Sequence, residues 1–294
     1  MSAHPENTNN ATEKIQLVPG LYLVSTPIGN MRDITLRALD VLKTVDIILC
    51  EDTRHTGKLL SQYSIKNRLK SYHDHTPESV RQRILADLEA EQRIALVSDA
   101  GTPLISDPGF KLVREALDKG VRVIPVPGAN AVLPALQMSG AGTDKFCFLG
   151  FLPAKTKARR KKLKEFASIS APIIMYETSP RLLSCLKDCY SILGDRKVTL
   201  AREITKRFEE TMNSRLSSLI ERLDESAPLK GEIVLVIEPQ SPTQITQEKL
   251  HDLLKQEMKE HSMKDAVKNI VEISGMRKKE IYELALQLQN DNEI

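Results

Sequence analysis

Residues 94–109 read IALVSDAGTPLISDPG, an apolar strand-like run followed at once by a loop of glycine, proline, hydroxyl and carboxylate residues. The same order occurs at 21–30 (LYLVSTPIGN), 45–56 (VDIILCEDTRHT) and 121–130 (VRVIPVPGAN). Helix-like segments separate the four units, and this alternation predicts a parallel α/β sheet. Because the carboxyl ends of parallel strands lie along one edge, where such sheets bind ligands, the four loops are expected to form one cleft.

The chain divides into four segments by pattern and composition. Residues 1–14 are polar and are expected to be disordered. Residues 15–143 form a first α/β domain, and residues 144–240 form a second one whose sheet need not be parallel throughout. Residues 241–294 carry helical periodicity without a strand signal, which predicts a small helical module.

The helical module resembles a helix-turn-helix unit. Ser262 with Asp265 predicts a capping box, and Gly275 is expected to end that helix. Its apolar face comprises Ala266, Ile270 and Ile273. Residues 245–294 hold eight Lys/Arg and ten Asp/Glu, too balanced for an electrostatic clamp on nucleic acid. Direct RNA contact and a purely structural role both stay open.

Composition excludes several classes of protein. With 42 basic and 39 acidic residues the formal net charge is +3, so nucleic-acid affinity must come from a local patch. The N-terminus has no apolar leader, and no apolar run reaches the ~18 residues of a membrane span, which predicts a cytoplasmic protein. Core packing is expected for the cysteines, although Cys185 and Cys189 share a helix face. The four are Cys50, Cys147, Cys185 and Cys189.

The four loops contain neither a G-x-G-x-x-G fingerprint nor a G-x-x-x-x-G-K-[ST] loop, which excludes the usual dinucleotide and P-loop sites. Glycine and proline at their turns allow a ligand to approach the backbone closely. For any single loop, a simple strand-to-helix turn explains the composition equally well. Four such loops on one edge favour a ligand site.

One short stretch, KTKARRKKLK at 155–164, has seven basic residues in ten and no acidic one. It predicts a patch that contacts RNA phosphates, whereas the alternative is a solvated helix face. The predicted contacts are Lys155, Lys157, Arg159, Arg160, Lys161 and Lys162. With no Trp and only 4% aromatic residues, a base-stacking platform is not expected.

Read in order, the chain contains VSTPIGNMRDITLRALDVL, EDTRHT, SDAGTPLISDPG, GFLPAKTKARR, AREITKRFEE and KGEIVLVIE. This series, over residues 17–238, resembles the ribosomal small subunit methyltransferase I family of the tetrapyrrole methylase superfamily, and the helical tail is similar to that family's C-terminal module. The resemblance implies two α/β domains of tetrapyrrole-methylase type with the cofactor cleft between them, and a homodimer. It also implies S-adenosylmethionine-dependent 2′-O-methylation of a cytidine ribose in the decoding region of 16S rRNA, free or in the assembled small subunit.

The resemblance also assigns a cofactor site. From the first domain it implies Pro27, Asp99, Gly101, Thr102, Ala129, Asn130 and Ala131. From the second it implies Met175, Tyr176, Ala201 and Gly231. Where the family usually reads Tyr-Glu-x-Pro-His-Arg, this chain has YETSPR at 176–181, so Pro180 replaces the histidine. A catalytic role for a histidine at that position is therefore not carried over.

The EDTRHT loop is the densest cluster of titratable residues at a predicted strand end and is expected to act on the acceptor ribose. The candidates are Glu51, Asp52, Arg54 and His55. Asp52 is the first choice of general base, with Arg54 holding the neighbouring phosphate. The alternative is that Glu51 and Arg54 form a structural ion pair that only shapes the loop.

Two competing functions and a metal site are alternatives to this hypothesis. A tetrapyrrole C-methyltransferase would share the fold but needs no basic run, and a catalytically silent ribosome-assembly factor would not need the acidic and glycine loops. His73 and His75 flank Asp74 in a pattern that could hold a metal. Methyl transfer to an alcohol needs no metal in principle, so none is expected.

Overall fold

A computed structural model describes residues 16–225, 229–240, 247–274 and 276–291. The segment predicted to be disordered, 1–14, lies outside the described residues. The first sheet has the order β3-β2-β4-β1-β5, and all its pairs are parallel, as predicted. Its strands are β1 (Gly20–Val24), β2 (Ile47–Cys50), β3 (Leu69–Ser71), β4 (Arg93–Val97) and β5 (Val123–Val126).

Helices cover both faces of the first sheet, so its strands are apolar on both sides. The helices of the first domain are α1 (Leu36–Thr44), α2 (Thr53–Gln62), α3 (Glu78–Glu89), α4 (Phe110–Asp118) and α5 (Val132–Ser139), of which α5 packs against the second sheet. Tyr22 packs into one core with Val41, and its neighbour Leu21 packs into the opposite core with Leu85. Because all five strands are parallel, their carboxyl ends lie along the same edge of the sheet. The loops that follow the strands therefore lie at that edge.

The second sheet is mixed, with the order β6-β7-β10-β8-β9. Only β6 and β7 pair in parallel, and the remaining pairs are antiparallel. Its strands are β6 (Cys147–Phe151), β7 (Ile173–Thr178), β8 (Lys197–Arg202), β9 (Glu210–Arg215) and β10 (Glu232–Ile237). The helices α6 (Thr156–Phe166), α7 (Leu182–Leu193) and α8 (Leu216–Asp224) build a core on its outer face.

The inner face of the second sheet receives a helix of the first domain. Val132, Ala135 and Leu136 of α5 pack against Ile174 and Val234 of the second sheet. Burial of these apolar side chains stabilises the contact between the domains, and the predicted domain boundary at 143 falls in the connection between α5 and β6. Apolar residues of both domains therefore lie together at the cleft between them.

The C-terminal part of the chain forms three helices, α9 (Gln247–Glu260), α10 (Met263–Ser274) and α11 (Lys278–Asp291), with a core of their own. The predicted cap of α10 is confirmed, because the Ser262 hydroxyl accepts the Asp265 backbone N–H at 3.3 Å. Ala266 and Ile270 are fully buried, as predicted. The Ile273 side chain and Gly275 lie outside the described residues.

The cysteines are free, and three of the four are buried as expected: Cys50, Cys185 and Cys189. Cys147 is partly exposed. In the part of the chain that the structure describes, no helix is both long and apolar enough to cross a bilayer.

Candidate active site

A cavity of about 260 Å³ opens between the two domains at the carboxyl edge of the first sheet. Its lining is more apolar than polar, as is usual for small-molecule sites. The first domain contributes the loops after β1, β4 and β5, and the second contributes the end of β7, the start of β10 and the loop after β8. The lining includes Ile28, Gly101, Thr102, Asp107, Asn130, Ala131, Phe151, Tyr176, Glu177, Ile204, Gly231 and Glu232.

Hydrogen bonds tie three of the first domain's loops together. The Thr26 backbone N–H donates to the Gly101 carbonyl at 2.8 Å, and the Gly101 N–H donates back at 3.0 Å. The Thr102 hydroxyl donates to the Ala129 carbonyl at 3.2 Å and lies 3.1 Å from the Ser25 hydroxyl. These bonds satisfy groups that a buried loop would otherwise leave unpaired, so the loops form one rigid wall.

Two glycines, one in each domain, are required by the shape of the cavity. Gly101 has φ +80°, and a Cβ there would lie 3.4 Å from the Ile28 side chain. Gly231 has φ +107°, and a Cβ there would lie 2.6 Å from the Glu203 side chain. Only glycine adopts such backbone angles without strain while leaving the space beside it open.

The structure brings six of the residues predicted for cofactor binding into the cavity lining. These are Gly101, Thr102, Asn130, Ala131, Tyr176 and Gly231. Pro27 is buried next to the lining residue Ile28, and Ala129 supplies the carbonyl that Thr102 binds. Asp99 is partly buried and accepts the Asp52 backbone N–H at 3.2 Å. Their role toward a cofactor stays a prediction.

The side chains of two further predicted residues point elsewhere, so only their backbone is placed to contact a cofactor. Met175 is fully buried in the core under α7, because successive residues of a strand face opposite sides and Tyr176 faces the cleft. Ala201 packs in the core between α5 and the second sheet. Neither side chain lines the cavity.

The EDTRHT loop lies beside the cavity, and none of its residues is in the lining. Asp52 caps α2, since its Oδ1 accepts the Arg54 backbone N–H at 2.8 Å. The Arg54 guanidinium donates to both oxygens of the same carboxylate, at 3.1 and 2.7 Å. The structural ion pair is therefore Asp52–Arg54, not Glu51–Arg54.

This geometry argues against Asp52 as general base. The hydrogen bonds from the Arg54 side chain and backbone hold the pKa of the Asp52 carboxyl far below its ordinary value. A carboxylate whose pKa is lowered accepts a proton poorly, and both of its oxygens are already engaged. Glu51 and His55 are exposed, and the Arg54 side chain is 86% exposed.

Sequence reasoning missed Asp107, a carboxyl inside the cavity. Burial, together with the negative charges of Glu51 and Asp99, raises its pKa to about 7. The sequence showed only one more acidic residue in the SDAGTPLISDPG loop. Its burial and the approach of two other carboxylates depend on how three loops fold together.

The basic stretch forms α6, whose first turn follows closely on the cavity residue Phe151. Arg159, predicted to contact RNA, is only 2% exposed and forms an ion pair with the buried Asp188. This prediction is wrong for Arg159, because its charge is satisfied inside the protein. Arg160 binds the other Asp188 oxygen at 2.6 Å but is half exposed, and Lys162 pairs with Glu165 at 2.8 Å. The lysines Lys155, Lys157 and Lys161 are exposed.

His73 and His75 are the residues that the sequence offers as possible metal ligands, although no metal is expected. His73 and His75 lie with their ring centroids 6.3 Å apart. Among the described residues, no group of three or more His, Cys, Asp or Glu is arranged to hold a metal ion.

Comparison with known proteins matches two family models to this chain. The model described as Tetrapyrrole (Corrin/Porphyrin) Methylases matches residues 20–220. The model described as RsmI C-terminal HTH domain matches residues 245–289, the helical module. The two models together span all three structural parts of the molecule.

Curated relatives match along almost the whole chain. The Ribosomal RNA small subunit methyltransferase I of Haemophilus influenzae is 43% identical, over 90% of this chain and 96% of its own length. That of Escherichia coli O157:H7 is 44% identical, over 92% of this chain and 95% of its own length.

A solved structure shares the fold of the two α/β domains. Uroporphyrin-III C-methyl transferase from Thermus thermophilus, complexed with S-adenyl homocysteine, is 20% identical with a TM-score of 0.52 and covers 74% of this chain and 96% of its own. At this identity the likeness concerns the fold alone. The sequence matches carry the assignment: the chain belongs to the tetrapyrrole methylases and, within them, to the ribosomal RNA small subunit methyltransferase I family, whose members are S-adenosylmethionine-dependent methyltransferases.

Proposed function

We propose that this protein transfers a methyl group from S-adenosylmethionine to the ribose 2′-oxygen of a cytidine in the decoding region of 16S rRNA. The observation that carries the proposal is identity above 40%, over nine tenths of the chain, to proteins named Ribosomal RNA small subunit methyltransferase I. The target nucleotide and atom follow the resemblance of the loop motifs to that family. We propose the cavity between the domains as the site of this reaction.

The residues of the cavity fit an adenosyl ligand. Such a ligand needs an apolar slot for the base, backbone partners, and polar groups for the ribose and amino-acid ends. Ile28, Ile204 and Val234 supply apolar surface, and the backbone at Gly101 is open because no side chain covers it. Thr102 and Asn130 supply polar groups on the same wall. At about 260 Å³, the cavity lies near the lower end of the ~300–1,000 Å³ typical of ligand sites.

The cofactor supplies an electrophilic methyl group bound to a sulfonium. The protein has to hold the acceptor hydroxyl in line with that group, and alignment alone contributes a large part of the acceleration of such reactions. The bonded wall of Thr26, Gly101 and Thr102 supplies rigidity on one side. On the other side the Glu177 carboxylate is fixed, because it accepts the Thr178 N–H at 2.8 Å and lies 3.1 Å from the Arg181 guanidinium.

We further propose that the exposed cations of α6 contact the RNA backbone beside the cavity. Lys155, Lys157 and Lys161 are exposed, and Arg160 and Lys162 keep about half of their side-chain surface. Phosphate contacts of this kind supply affinity without reading sequence. The proposed substrate is either free 16S rRNA or the assembled small subunit. We therefore propose that the reaction takes place in the cytoplasm.

A homodimer is part of the proposal, on the strength of the family resemblance. Large apolar side chains on the surface support it, because a second copy would bury them. Leu36 is 81% exposed, Phe110 is 68% exposed and Phe208 is 63% exposed. Sedimentation equilibrium of the full chain measures the assembly directly, and a monomer at micromolar concentration contradicts this part of the proposal.

The function is tested by mass mapping of 16S rRNA from cells that lack the protein. We expect one 2′-O-methyl cytidine of the decoding region to disappear and to return when the wild-type chain is supplied. Unchanged rRNA, or a methyl group missing from a base, contradicts the proposal. Methylation of a tetrapyrrole by the purified protein favours the macrocycle alternative, and rRNA that is bound but never methylated favours a silent assembly factor.

A further inference from the structure

The turn after β4 is held in a strained conformation. Leu104 and Ser106 have φ +73° and +68°, in the left-handed region that non-glycine residues avoid. Gly109, at φ +124°, closes the turn where a Cβ would lie 2.6 Å from the Leu96 side chain. Such conformations persist only where the surroundings over-determine them, and they cluster at functional sites. The turn therefore holds Asp107 in one fixed place.

The second domain supplies part of that constraint. Gly150 interrupts β6 with φ +61°, at the irregularity in the β6–β7 register. A Cβ at Gly150 would lie 2.7 Å from the Ser106 hydroxyl oxygen, so β6 and the turn are in close contact. Ser106 and Asp107 both line the cavity, together with Phe151 at the end of the same strand. Asp107 is thus fixed from both domains.

The cavity contains three carboxylates, and two of them are neutralised by cations. Glu177 pairs with Arg181 at 3.1 Å, and Glu232 pairs with Lys206 at 3.1 Å. Within the described residues, the carboxylate of Asp107 has neither a hydrogen bond nor an ion pair. Its oxygens are therefore free to accept a hydrogen bond from a bound molecule.

We propose that Asp107 is the general base for the acceptor hydroxyl, an inference that rests on the proposed ribose methylation. The ribose O–H bond breaks and its proton passes to the Asp107 carboxylate. The oxygen electron pair forms the new bond to the methyl carbon, and the electrons of the carbon–sulfur bond stay on sulfur, which leaves as a neutral thioether. The reaction needs no further reactant.

The charges around Asp107 give the base a defined working range. Glu51 and Asp99 face it from the loops after β2 and β4, and both oppose its ionisation. Tyr176 faces it from β7, and burial and the Asp107 charge raise the pKa of this phenol to about 12, so it stays neutral. The paired Glu177 and Glu232 complete the ionisable lining. With its pKa at about 7, Asp107 is a stronger base than an ordinary carboxylate, is about half ionised at neutral pH and becomes largely ionised above it.

The first test is single-turnover methylation by Asp107→Asn, with small subunits and cofactor both saturating. We expect the rate to fall on the order of a hundredfold or more, because the amide has the shape of the carboxyl but accepts no proton. Asp118→Asn, an exposed carboxylate on α4, is the matched control and should keep the wild-type rate. A rate for Asp107→Asn within about threefold of wild type overturns the assignment.

The second test is the pH profile of the same rate. The wild-type rate should rise with pH and level off with an apparent pKa near 7. Glu51→Gln should move that midpoint to lower pH, since one negative charge near Asp107 is removed. A midpoint that does not move, or that moves upward, contradicts the role. Calorimetry of Asp107→Asn with S-adenosylmethionine completes the test, because an affinity reduced more than about tenfold assigns Asp107 to cofactor binding instead.

The third test does not depend on the acceptor. Because the pKa of Asp107 is raised in the folded state, this group lowers the stability progressively as the pH rises from the ordinary carboxyl pKa of 3.8 to about 7, and the loss is complete above about pH 7. Asp107→Asn should therefore raise Tm relative to wild type at alkaline pH, and the gain should vanish in acid. If the Tm difference depends on pH in this way but the wild-type product carries no ribose methyl group, the proposed function is wrong and the inferred environment of Asp107 is still correct. A Tm difference independent of pH overturns the environment itself.

Discussion

The loops after β2 and β4 sit on adjacent strands of one sheet and are both rich in acidic residues, yet the fold uses them differently. In the first, Asp52 is bound by Arg54 and caps α2. In the second, Asp107 lies in the cavity with no cation beside it in the described part of the chain. The density of titratable residues in a loop therefore does not identify its reactive group. The partners that folding supplies decide which carboxylate is free.

The largest expected effect is that of Gly101→Val, which tests whether the loop after β4 belongs to the cofactor site. A side chain at φ +80° beside Ile28 should prevent the cofactor from approaching the backbone closely. We expect cofactor affinity to fall by at least about a hundredfold, or ~3 kcal/mol. Gly120→Val is the matched control, because Gly120 has φ +74° with no atom within 4 Å of its Cβ position. Calorimetry on both folded variants decides. Equal affinities remove this loop from the cofactor site.

The same contrast between bound and free charges exists on α6. Arg159→Ala should lower the free energy of unfolding by about 3 kcal/mol, because it leaves the buried Asp188 with only Arg160. Lys161→Ala, two residues further along α6 and exposed, should change it by less than about 0.5 kcal/mol. Urea unfolding measures both. A small effect at Arg159 shows that the ion pair does not support the fold.

The exposed cations should act on RNA instead. The triple change of Lys155, Lys157 and Lys161 to Ala should weaken rRNA binding and reduce its logarithmic salt slope by roughly 2–3, because each phosphate contact contributes about 0.9. Cofactor affinity and Tm should not change. Lys43 and Lys119, at the opposite edge of the first sheet, make the control pair. An unchanged slope means that α6 is only a solvated face.

The smallest expected effect concerns Asp52. Asp52→Ala should lower Tm by about 2–4 °C at neutral pH through loss of the cap, whereas Asp52→Asn keeps a capping oxygen and most of the stability. Because the pKa of Asp52 is lowered from 3.8 in the folded state, the ion-pair stabilisation is present above that value and is lost as the pH falls further. This pH dependence is opposite in sign to that of Asp107.

The methylation rates of the Asp52 variants test whether Asp52 and Asp107 differ in function as proposed. Asp52→Asn should methylate small subunits within about threefold of the wild-type rate, since Asp52 is not the base in this proposal. A loss on the order of a hundredfold in a folded Asp52→Asn protein restores Asp52 as general base.

Local sequence determined the architecture of this protein. Apolar runs that end in glycine and proline loops specify parallel strands, and the carboxyl ends of such strands can only lie along one edge. The loops of TPIGN, SDAGTP and PGAN accordingly meet at the cavity, and Ser262 caps its helix because the cap is a contact between near neighbours. The ordered motifs likewise sufficed for the family.

Tertiary structure decided which charged and apolar side chains face the cleft. Arg159 and Lys161 lie in the same basic run, but only packing against α7 shows that Arg159 meets Asp188. Met175 and Tyr176 are adjacent, and the sheet turns one into the core and the other into the cavity. The pKa of Asp107 depends on burial and on charges from two other segments of chain. Burial and long-range electrostatics arise between residues distant in sequence, so no local pattern encodes them.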